Sequence, residues 1–422
     1  MWVDDNEVRA EIVGPQNIFV NERPPPDSYC PFTVYVDKER NAAKIEVGDS
    51  EIVLDVGDWS DWVEVEFDMM PGVSTSGIVL FYLKEVQPDF KLYVSPVNIN
   101  PLEPAMPIST PEDYSREVAE KTGYFYTQGM PQDTKALDYN ILNDDEYAQQ
   151  VKLVLEERKR LFRYELDQWD KGLLFFYFST LDLNQHTWWR AMDPEHPLYT
   201  EELAAKYGDF IYKLYMEMDK VLGEAMERLG PDDTLIVMSD HGFASYRRKF
   251  HLSTWLLENG YLDLRDTAIR ESVEYLEGVD WENTRAYALG INAVYINLAG
   301  REKNGIVHPA EADGLVREIA SKLEKVKDPK TGSNPIRKAY ISKDVFEGEY
   351  VNKAPDIIAG YRRGYRGSDD SALGRFPKDV FSDNTDPWSG DHCIDPHEVP
   401  GVLIANRRIT MENPALYDLT VT

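Results

Sequence analysis

The chain has 422 residues, of which 75 are acidic and 45 basic, so its formal net charge is -30. This charge argues against a general nucleic-acid or anionic-membrane surface, and an anionic substrate would need a local positive centre such as a bound metal ion. Hydrophobic residues make up 42% of the chain, as in a globular protein, and no apolar run reaches the roughly 18 residues needed to cross a bilayer.

The cysteines and the two ends of the sequence say little about the compartment. Cys30 and Cys393 are far apart in sequence and do not form a disulfide framework, so the redox compartment stays open. The first residues lack the basic start and apolar core of a signal peptide. Because residues 417–422 end within what resembles an element, we expect the sequence to be a fragment.

The first part of the chain has a strand-like pattern. Alternating, β-branched or aromatic runs at 32–36, 43–47, 52–56, 62–67 and 78–83 are separated by Gly, Asp and Pro. We therefore predict that residues 1–96 form an antiparallel, β-rich module or cap.

The next part, residues 97–170, is predicted to be a linker with helices that join the cap to the core. Pro and Asn are frequent in 97–111, and Thr110-Pro111-Glu112 is typical of a helix start. A long amphipathic pattern over 144–169 predicts a second helix.

From residue 171 to 422 the order alternates between strand and helix. Strands are predicted at 173–179, 234–238, 293–298, 337–342, 356–359 and 401–404, and the longest helices at 201–229 and 309–326. This alternation predicts an α/β core with a mostly parallel sheet sandwiched by helices.

Three segments of this core place ionisable side chains at the polar end of an apolar run or in a glycine-containing loop. They supply Asp182 and His186 in 172–186, Asp240 and His241 in 235–242, and His392 in 388–393. Carboxylate and imidazole groups bind divalent transition metals, and open α/β sheets bind ligands at the carboxyl ends of their strands. Each pair alone has an ordinary explanation, such as a helix cap or a structural hydrogen bond, but the combination predicts a metal site.

These segments resemble the motifs of the alkaline phosphatase superfamily and, within it, the type I phosphodiesterase/nucleotide pyrophosphatase branch. The matching stretches are Thr-Leu-Asp-Leu-Asn-Gln-His from Thr180, Ser-Asp-His-Gly from Ser239 and Ser-Gly-Asp-His from Ser389. The resemblance covers about residue 171 to the end. It implies an alkaline phosphatase-like fold and metal-dependent hydrolysis of a small phosphate ester.

The resemblance also implies the ligand sets. One metal would be held by Asp182, His186 and His392, and the other by Asp240 and His241 with a further Asp and a Thr or Ser nucleophile from near the family's amino terminus. Imidazole with carboxylate suits zinc, with manganese or iron as alternatives. The family resemblance favours an extracytoplasmic location and leaves the oligomeric state open.

The front of this sequence departs from the family. Neither the upstream Asp nor the nucleophile loop is recognisable in residues 1–170, and the hydroxyls of Thr75 and Thr134 do not follow a buried strand that ends in a metal-binding Asp. We expect the Thr or Ser nucleophile to lie upstream of this chain, which would then be incomplete.

Three alternatives stay open. Sulfatases share the fold and metal chemistry but use a Cys-x-Pro-x-Arg motif, which Cys30-Pro31-Phe32 does not match. Phosphoglycerate mutases that need no cofactor are also related, but they fit the β-rich front less well. The third alternative is an inactive metal-binding scaffold whose β module binds a partner or glycan.

Two basic segments and one thiol are open to two interpretations. Arg247-Arg248-Lys249 is interpreted as a solvated surface run, with contact to a substrate anion as the alternative. Residues 361–366 either line a substrate mouth or form a loop of stacked Arg and Tyr. Cys393 is interpreted as a packed thiol, with metal ligation as the alternative.

Overall fold

The computed structural model describes residues 6–408. The chain divides into two compact units, Met1–Leu183 and Asn184–Thr422. The end of the predicted core, 409–422, lies outside the described residues. Within the described part, no helix is both long and apolar enough to cross a membrane.

The first unit begins with nine strands in three sheets. Four strands form one sheet in the order β1-β2-β3-β4, three form another in the order β5-β6-β9, and β7 pairs with β8. All of these pairs are antiparallel, which confirms the predicted antiparallel front. The strands are β1 Glu7–Gln16, β2 Asp27–Asp37, β3 Ala42–Val47, β4 Ser50–Asp55, β5 Val63–Met70, β6 Val73–Val79, β7 Phe81–Glu85, β8 Lys91–Val94 and β9 Asn98–Ile99.

Alternating burial explains why these segments form a sheet with one covered face. In β2 every second side chain is buried, from Cys30 through Phe32 to Val34, while the side chains between them are more exposed. The buried set joins Phe67 and Phe81 from other strands in one hydrophobic core. Burial of Cys30 in this core supports a packing role for its thiol.

Helices α1 Tyr114–Thr122, α2 Thr134–Asp138 and α3 Asp144–Gln168 follow. The predicted long helix is confirmed as α3, and a capping box fixes its start. The Asn143 side chain accepts from the backbone N–H of Glu146, whose side chain accepts from the N–H of Asn143. Glu146 also forms an ion pair with Lys84 of β7 (2.6 Å), which links the helix to a strand.

A carboxyl group is buried where α3 packs in this unit. Glu157 accepts hydrogen bonds from the indole Nε1 of Trp62 (3.2 Å) and the backbone N–H of Tyr126 (2.8 Å). Burial raises the pKa of Glu157 to about 7, because these two neutral donors offset only part of the cost of removing its charge from water.

Helix α4, Thr180–Met192, contains the division between the two units. The second unit contains helices α5 Glu201–Tyr207, α6 Phe210–Arg228, α7 Leu252–Glu258, α8 Pro309–Leu323, α9 Ser342–Val345 and α10 Asp369–Ala372. Its strands are β10 Ile236–Met238, β11 Ala244–Phe250, β12 Ala286–Leu289, β13 Ala293–Ile296, β14 Ile336–Ile341, β15 Ile357–Tyr361, β16 Gly364–Gly367, β17 Phe381–Asp383, β18 Gly390–Asp391 and β19 Leu403–Ala405.

These strands form three small sheets. One has the order β12-β13-β15-β14, a second joins β11 to β16, β17 and β18, and β10 pairs with β19. The main core of this unit lies between the first of these sheets and helices α7 and α8. Chain alternation of strands and helices therefore confirms a mixed α/β architecture.

The expected mostly parallel sheet is not confirmed. Between named strands of the described residues, only β11 and β16 pair in parallel, and the others are antiparallel. The strand expected to be buried at 234–238 exists as β10, but Ile236 and Met238 are more than half exposed. The apolar composition therefore predicted the position of the strand correctly, but the prediction that the strand is buried was wrong.

Two predicted elements of this region are wrong. Residues 173–178 alternate between exposed and half-buried side chains, with Leu173 89% exposed, but in the described chain no neighbouring strand pairs with them. Such a segment keeps the side-chain pattern of a strand without its hydrogen bonds. The single helix expected at 201–229 is two helices, α5 and α6, which are separated at Gly208.

Because the pKa of Glu157 is raised, the free energy of unfolding of the first unit should fall as the pH increases. The folded-state pKa of Glu157, about 7, lies above the ordinary value of 4.5, so the folded state holds a proton that the unfolded state releases between these values. The stabilisation is fully present below pH 4.5 and is lost as the pH rises through 7. We expect Glu157→Gln to flatten this fall in the free energy of unfolding, measured by urea titration.

The matched control is Glu156→Gln. This substitution also replaces a glutamate by glutamine, but the Glu156 side chain is 66% exposed. An equally steep loss of stability in wild type and Glu157→Gln would contradict the assignment.

Candidate metal centre

Helix α4 presents the first two predicted ligands. Asp182 and His186 are four residues apart in Thr180–Met192, so both side chains lie on one face of the helix. Asp182 is half-buried and His186 is buried. The segment between these residues is a helical turn, which fixes the spacing of the two side chains.

The His186 ring is oriented by a backbone carbonyl. Its Nδ1 lies 2.7 Å from the carbonyl oxygen of Gly390, and only a protonated Nδ1 can donate this hydrogen bond. Burial lowers the pKa of His186 to about 3, so the ring is neutral near pH 7. In a neutral ring that donates from Nδ1, the lone pair lies on Nε2, which is the tautomer that ligates a metal through Nε2.

The third ligand comes from a segment about two hundred residues downstream. His392 follows the short strand β18, which pairs antiparallel with β11. Single ligand atoms of Asp182, His186 and His392 all lie within 4.8 Å of one another. The structure thus brings together the three residues that the sequence assigned to one metal.

The other predicted pair lies beside this group. The His241 ring is stacked on that of His392, with centroids 3.6 Å apart and planes 11° apart. Asp240 has a 78% exposed side chain with a carboxylate oxygen 3.4 Å from Nε2 of His241. In the described residues, Asp240 and His241 do not belong to a group of three potential ligands.

A second cluster comprises Asp391, His392 and Cys393. Its carboxylate is already engaged, since Asp391 accepts from the indole of Trp388 (2.8 Å) and forms an ion pair with Arg366 (2.7 Å). Burial alone would raise the pKa of Asp391, but Arg366, His186 and the N–H donors of Cys393 and Trp388 together more than offset this effect, so the pKa is lowered. Asp391 is therefore a buried support for the loop that bears His392.

Aromatic rings enclose the histidines. Trp388 stacks on His186 with centroids 3.7 Å apart. Phe243 lies edge-on to three imidazoles, at 4.7 Å from His186, 5.6 Å from His241 and 5.2 Å from His392. These rings reduce the access of water to the imidazoles of His186 and His392, and burial lowers the pKa of both groups.

The sequence did not indicate the supporting residues Arg366 and Trp388. Arg366 lies in β16, in the segment interpreted as a substrate mouth or stacked loop, and its side chain is only 6% exposed. A basic residue with this degree of burial needs an acidic partner, but the partner lies 25 positions away and no local pattern marks it.

The interpretation of Arg247-Arg248-Lys249 as a solvated run is wrong. These residues form part of β11, and each pairs with an acid: Arg247 with Asp193, Arg248 with Asp328 and Lys249 with Asp386. Alternation along the strand buries Arg248. Neighbouring carboxylates, rather than water, neutralise this run.

The donor set fits a divalent transition metal. It combines carboxylate oxygen with neutral imidazole nitrogen, as zinc, manganese and iron require. The hydrogen bond from Nδ1 of His186 to the carbonyl of Gly390 fixes the ring, as is usual for metal-ligating histidines.

A comparison with protein families identifies the family of the chain. The model of the type I phosphodiesterase / nucleotide pyrophosphatase family matches residues 56–383, which is well over half of the chain. The chain belongs to this family. The match is consistent with a branch of the alkaline phosphatase superfamily, whose members are hydrolases that generally use divalent metals.

The family match starts and ends at informative positions. It begins at residue 56, well before the expected start near 171, so it includes part of the β-rich front. It contains Asp182, His186, Asp240 and His241 but ends before His392. No curated protein and no solved structure matched the chain.

The ion pair of Asp391 with Arg366 holds the loop that bears His392, so its loss should weaken metal binding. Asp391→Asn keeps the shape of the side chain but removes the charge that pairs with Arg366. Because residues behind the ligands typically affect metal affinity 10- to 100-fold, we expect zinc to bind about tenfold or more weakly. Isothermal titration calorimetry of the metal-free protein with zinc measures this change.

Asp313→Asn serves as the control. It removes the same charge as Asp391→Asn, but Asp313 lies exposed on α8. Circular dichroism must show that both variants fold. Equal zinc affinity in folded Asp391→Asn and wild type would show that the ion pair does not support the centre.

Proposed function

We propose that the chain hydrolyses small phosphate esters, either diesters or monoesters, at a centre of two divalent metal ions, most naturally zinc. The carrying observation is the convergence of Asp182, His186 and His392 within 4.8 Å. These residues would hold one ion. Asp240 and His241 would contribute to holding the other.

Metal ions held there would neutralise the phosphoryl oxygens and lower the pKa of a bound water or hydroxyl. The protein's own residues prepare for this chemistry. Burial keeps His186 neutral, and burial together with the nearby His241 lowers the pKa of His392, so that protons compete poorly for their nitrogens. The carbonyl of Gly390 fixes the orientation of the His186 ring.

The overall charge of the chain explains why a local positive centre matters. A net charge of -30 repels a phosphate ester, and the buried guanidinium of Arg366 is neutralised by Asp391. The attraction for the substrate would therefore have to come from the occupied centre. The Thr or Ser nucleophile remains a proposal drawn from the family, and we assign it to no residue of this chain.

One observation favours a second candidate, a metal-binding scaffold without catalytic activity. Among residues 6–408, Asp240 and His241 do not form a group of three potential ligands whose ligand atoms all lie within 4.8 Å of one another. A centre that holds one ion firmly and a second weakly would bind phosphate esters but turn them over slowly.

Removal of single ligands tests the proposal. His392→Ala and Asp240→Ala should each lower the metal content and reduce hydrolysis by at least about a hundredfold, because each takes a ligand from one ion. Plasma mass spectrometry measures the metal per chain, and bis(p-nitrophenyl) phosphate reports hydrolysis. The zinc-loaded chain of 422 residues is the reference.

The control for His392→Ala is His397→Ala, since the His397 side chain is 65% exposed and lies outside the ligand group. Full metal content and full activity in either ligand variant would refute the proposed centre. Metal loss without any hydrolysis in the wild type would instead favour the inactive scaffold.

A further inference from the structure

The second unit contains a cavity of about 360 Å³ at one edge of the sheet that includes β13, β14 and β15. Its volume lies within the range of small-molecule sites. The walls come from the loop that follows β13, from helix α8, from the junction of β14 with α9 and from the segment that leads into β15. None of the described residues that line it is a candidate metal ligand, so this cavity has no part in the proposed centre.

The buried wall of the cavity is part of the hydrophobic core. Ala312 and Val316 lie four residues apart on one face of α8, are 7% and 6% exposed, and belong to the main core of the unit. Leu298 and Ile341 pack against the same core and also line the cavity. These four side chains offer a ligand only carbon atoms, so this wall suits an aliphatic group.

The acidic groups of the lining are already paired. Asp356 accepts from Nη1 (3.2 Å) and Nη2 (2.6 Å) of Arg301, and Asp313 accepts from Nε of Arg317, one turn later on α8 (3.1 Å). Each acid of the lining therefore has a guanidinium partner. Two further acids pair with these guanidinium groups but are not among the described residues that line the cavity, namely Glu302 and Asp344.

The basic and amide groups of the lining keep donors for a ligand. Within residues 6–408, four of the five N–H groups of Arg301 are bonded to two carboxylates and a backbone carbonyl, which leaves one N–H on Nη1. Lys343 is exposed, and its ammonium group pairs with no acid of the described chain. Asn352 adds an exposed amide. An anionic head with acceptor oxygens complements this set of donors.

We propose that this cavity binds a small aliphatic carboxylate, whose chain contacts the buried wall and whose head contacts Lys343 and Arg301. A carboxylate has one negative charge and two acceptor oxygens, which match one ammonium group and one guanidinium N–H. A phosphate head would bring up to a second negative charge, for which the described lining has no second unpaired cation. The site is independent of the proposed function, because it uses none of the candidate ligands.

Three probes separate the head from the chain on the zinc-loaded protein of 422 residues. Hexanoate carries both parts, acetate only the head, and hexan-1-ol only the chain with a neutral head. We expect hexanoate to bind at least about tenfold more tightly than acetate, because its additional methylene groups leave water for the buried wall. It should bind about two- to fivefold more tightly than hexan-1-ol, as for a single exposed charge pair. Saturation-transfer NMR titrations give the three dissociation constants.

Substitutions in the lining give matched variants. Lys343→Gln removes the unpaired cation and should weaken hexanoate about two- to fivefold while leaving hexan-1-ol unchanged. Lys325→Gln removes the same charge at an exposed lysine outside the lining and should keep the wild-type affinities. Val316→Phe fills the cavity and should abolish the preference for hexanoate over acetate. Circular dichroism checks folding, and the lysine variants decide the test even where Val316→Phe does not fold.

A carboxylate also binds metal ions, so the titration is repeated with His392→Ala. Hexanoate affinity should persist in this variant, because His392 is not among the described residues that line the cavity. Loss of affinity there would assign the bound acid to the candidate metal centre and overturn the proposal.

The remaining outcomes decide the site directly. Preference for hexanoate over both other probes, with a loss in Lys343→Gln that Lys325→Gln does not show, supports the carboxylate site. It is overturned if hexanoate does not bind, if hexan-1-ol binds equally well, or if Lys343→Gln retains the wild-type affinity for hexanoate. None of these measurements depends on hydrolysis, so the proposed function and this site succeed or fail separately.

Discussion

The candidate centre depends on hydrogen bonds that join helix α4 to a loop two hundred residues away. His186 donates from Nδ1 to the carbonyl of Gly390, and the backbone N–H of Ser389 donates to the carbonyl of His186 (2.6 Å). Gly390 permits this approach, since a Cβ there would lie 2.4 Å from the carbonyl oxygen of Gln185. A larger residue would push the loop off the helix and separate His392 from the other two ligands.

Basic side chains near the candidate centre are paired with acidic ones. The basic strand β11 is neutralised by acids, and Arg366 is neutralised by Asp391, so the ligand loop rests on a buried ion pair. Such pairs contribute little net stability, but a single partner left alone in the interior is costly. Their effect here is to hold the loop and the strand in one arrangement.

The sequence predicted those features that depend on local patterns. Asp182 and His186 were recognised because four-residue spacing and a preceding apolar run are local, and the alternation in β2 and the length of α3 are local as well. The pairing of Arg366 with Asp391 and the stacking of Trp388 on His186 depend on contacts between distant segments, which no single-sequence pattern records.

The errors in the predicted fold have the same origin. The apolar runs at 173–179 and 234–238 resemble strands that are buried on both faces, and composition alone cannot show which neighbours cover them. In the structure, Leu173 and Ile236 are exposed, and the sheets are assembled mainly from antiparallel pairs. Residue type reports the tendency to form a strand, whereas strand direction is decided by partners elsewhere in the chain.

Helix α4 also fixes the distances between the side chains that it carries. Asp182, His186 and Trp189 follow one another at spacings of four and three residues, so they form a stripe along one side of a rigid rod. At 1.5 Å per residue, Asp182 and Trp189 are separated by roughly 10 Å along the helix axis. This fixed length sets the spacing between the two candidate ligands and the Trp189 ring, so a change in that spacing would require lengthening or bending the helix.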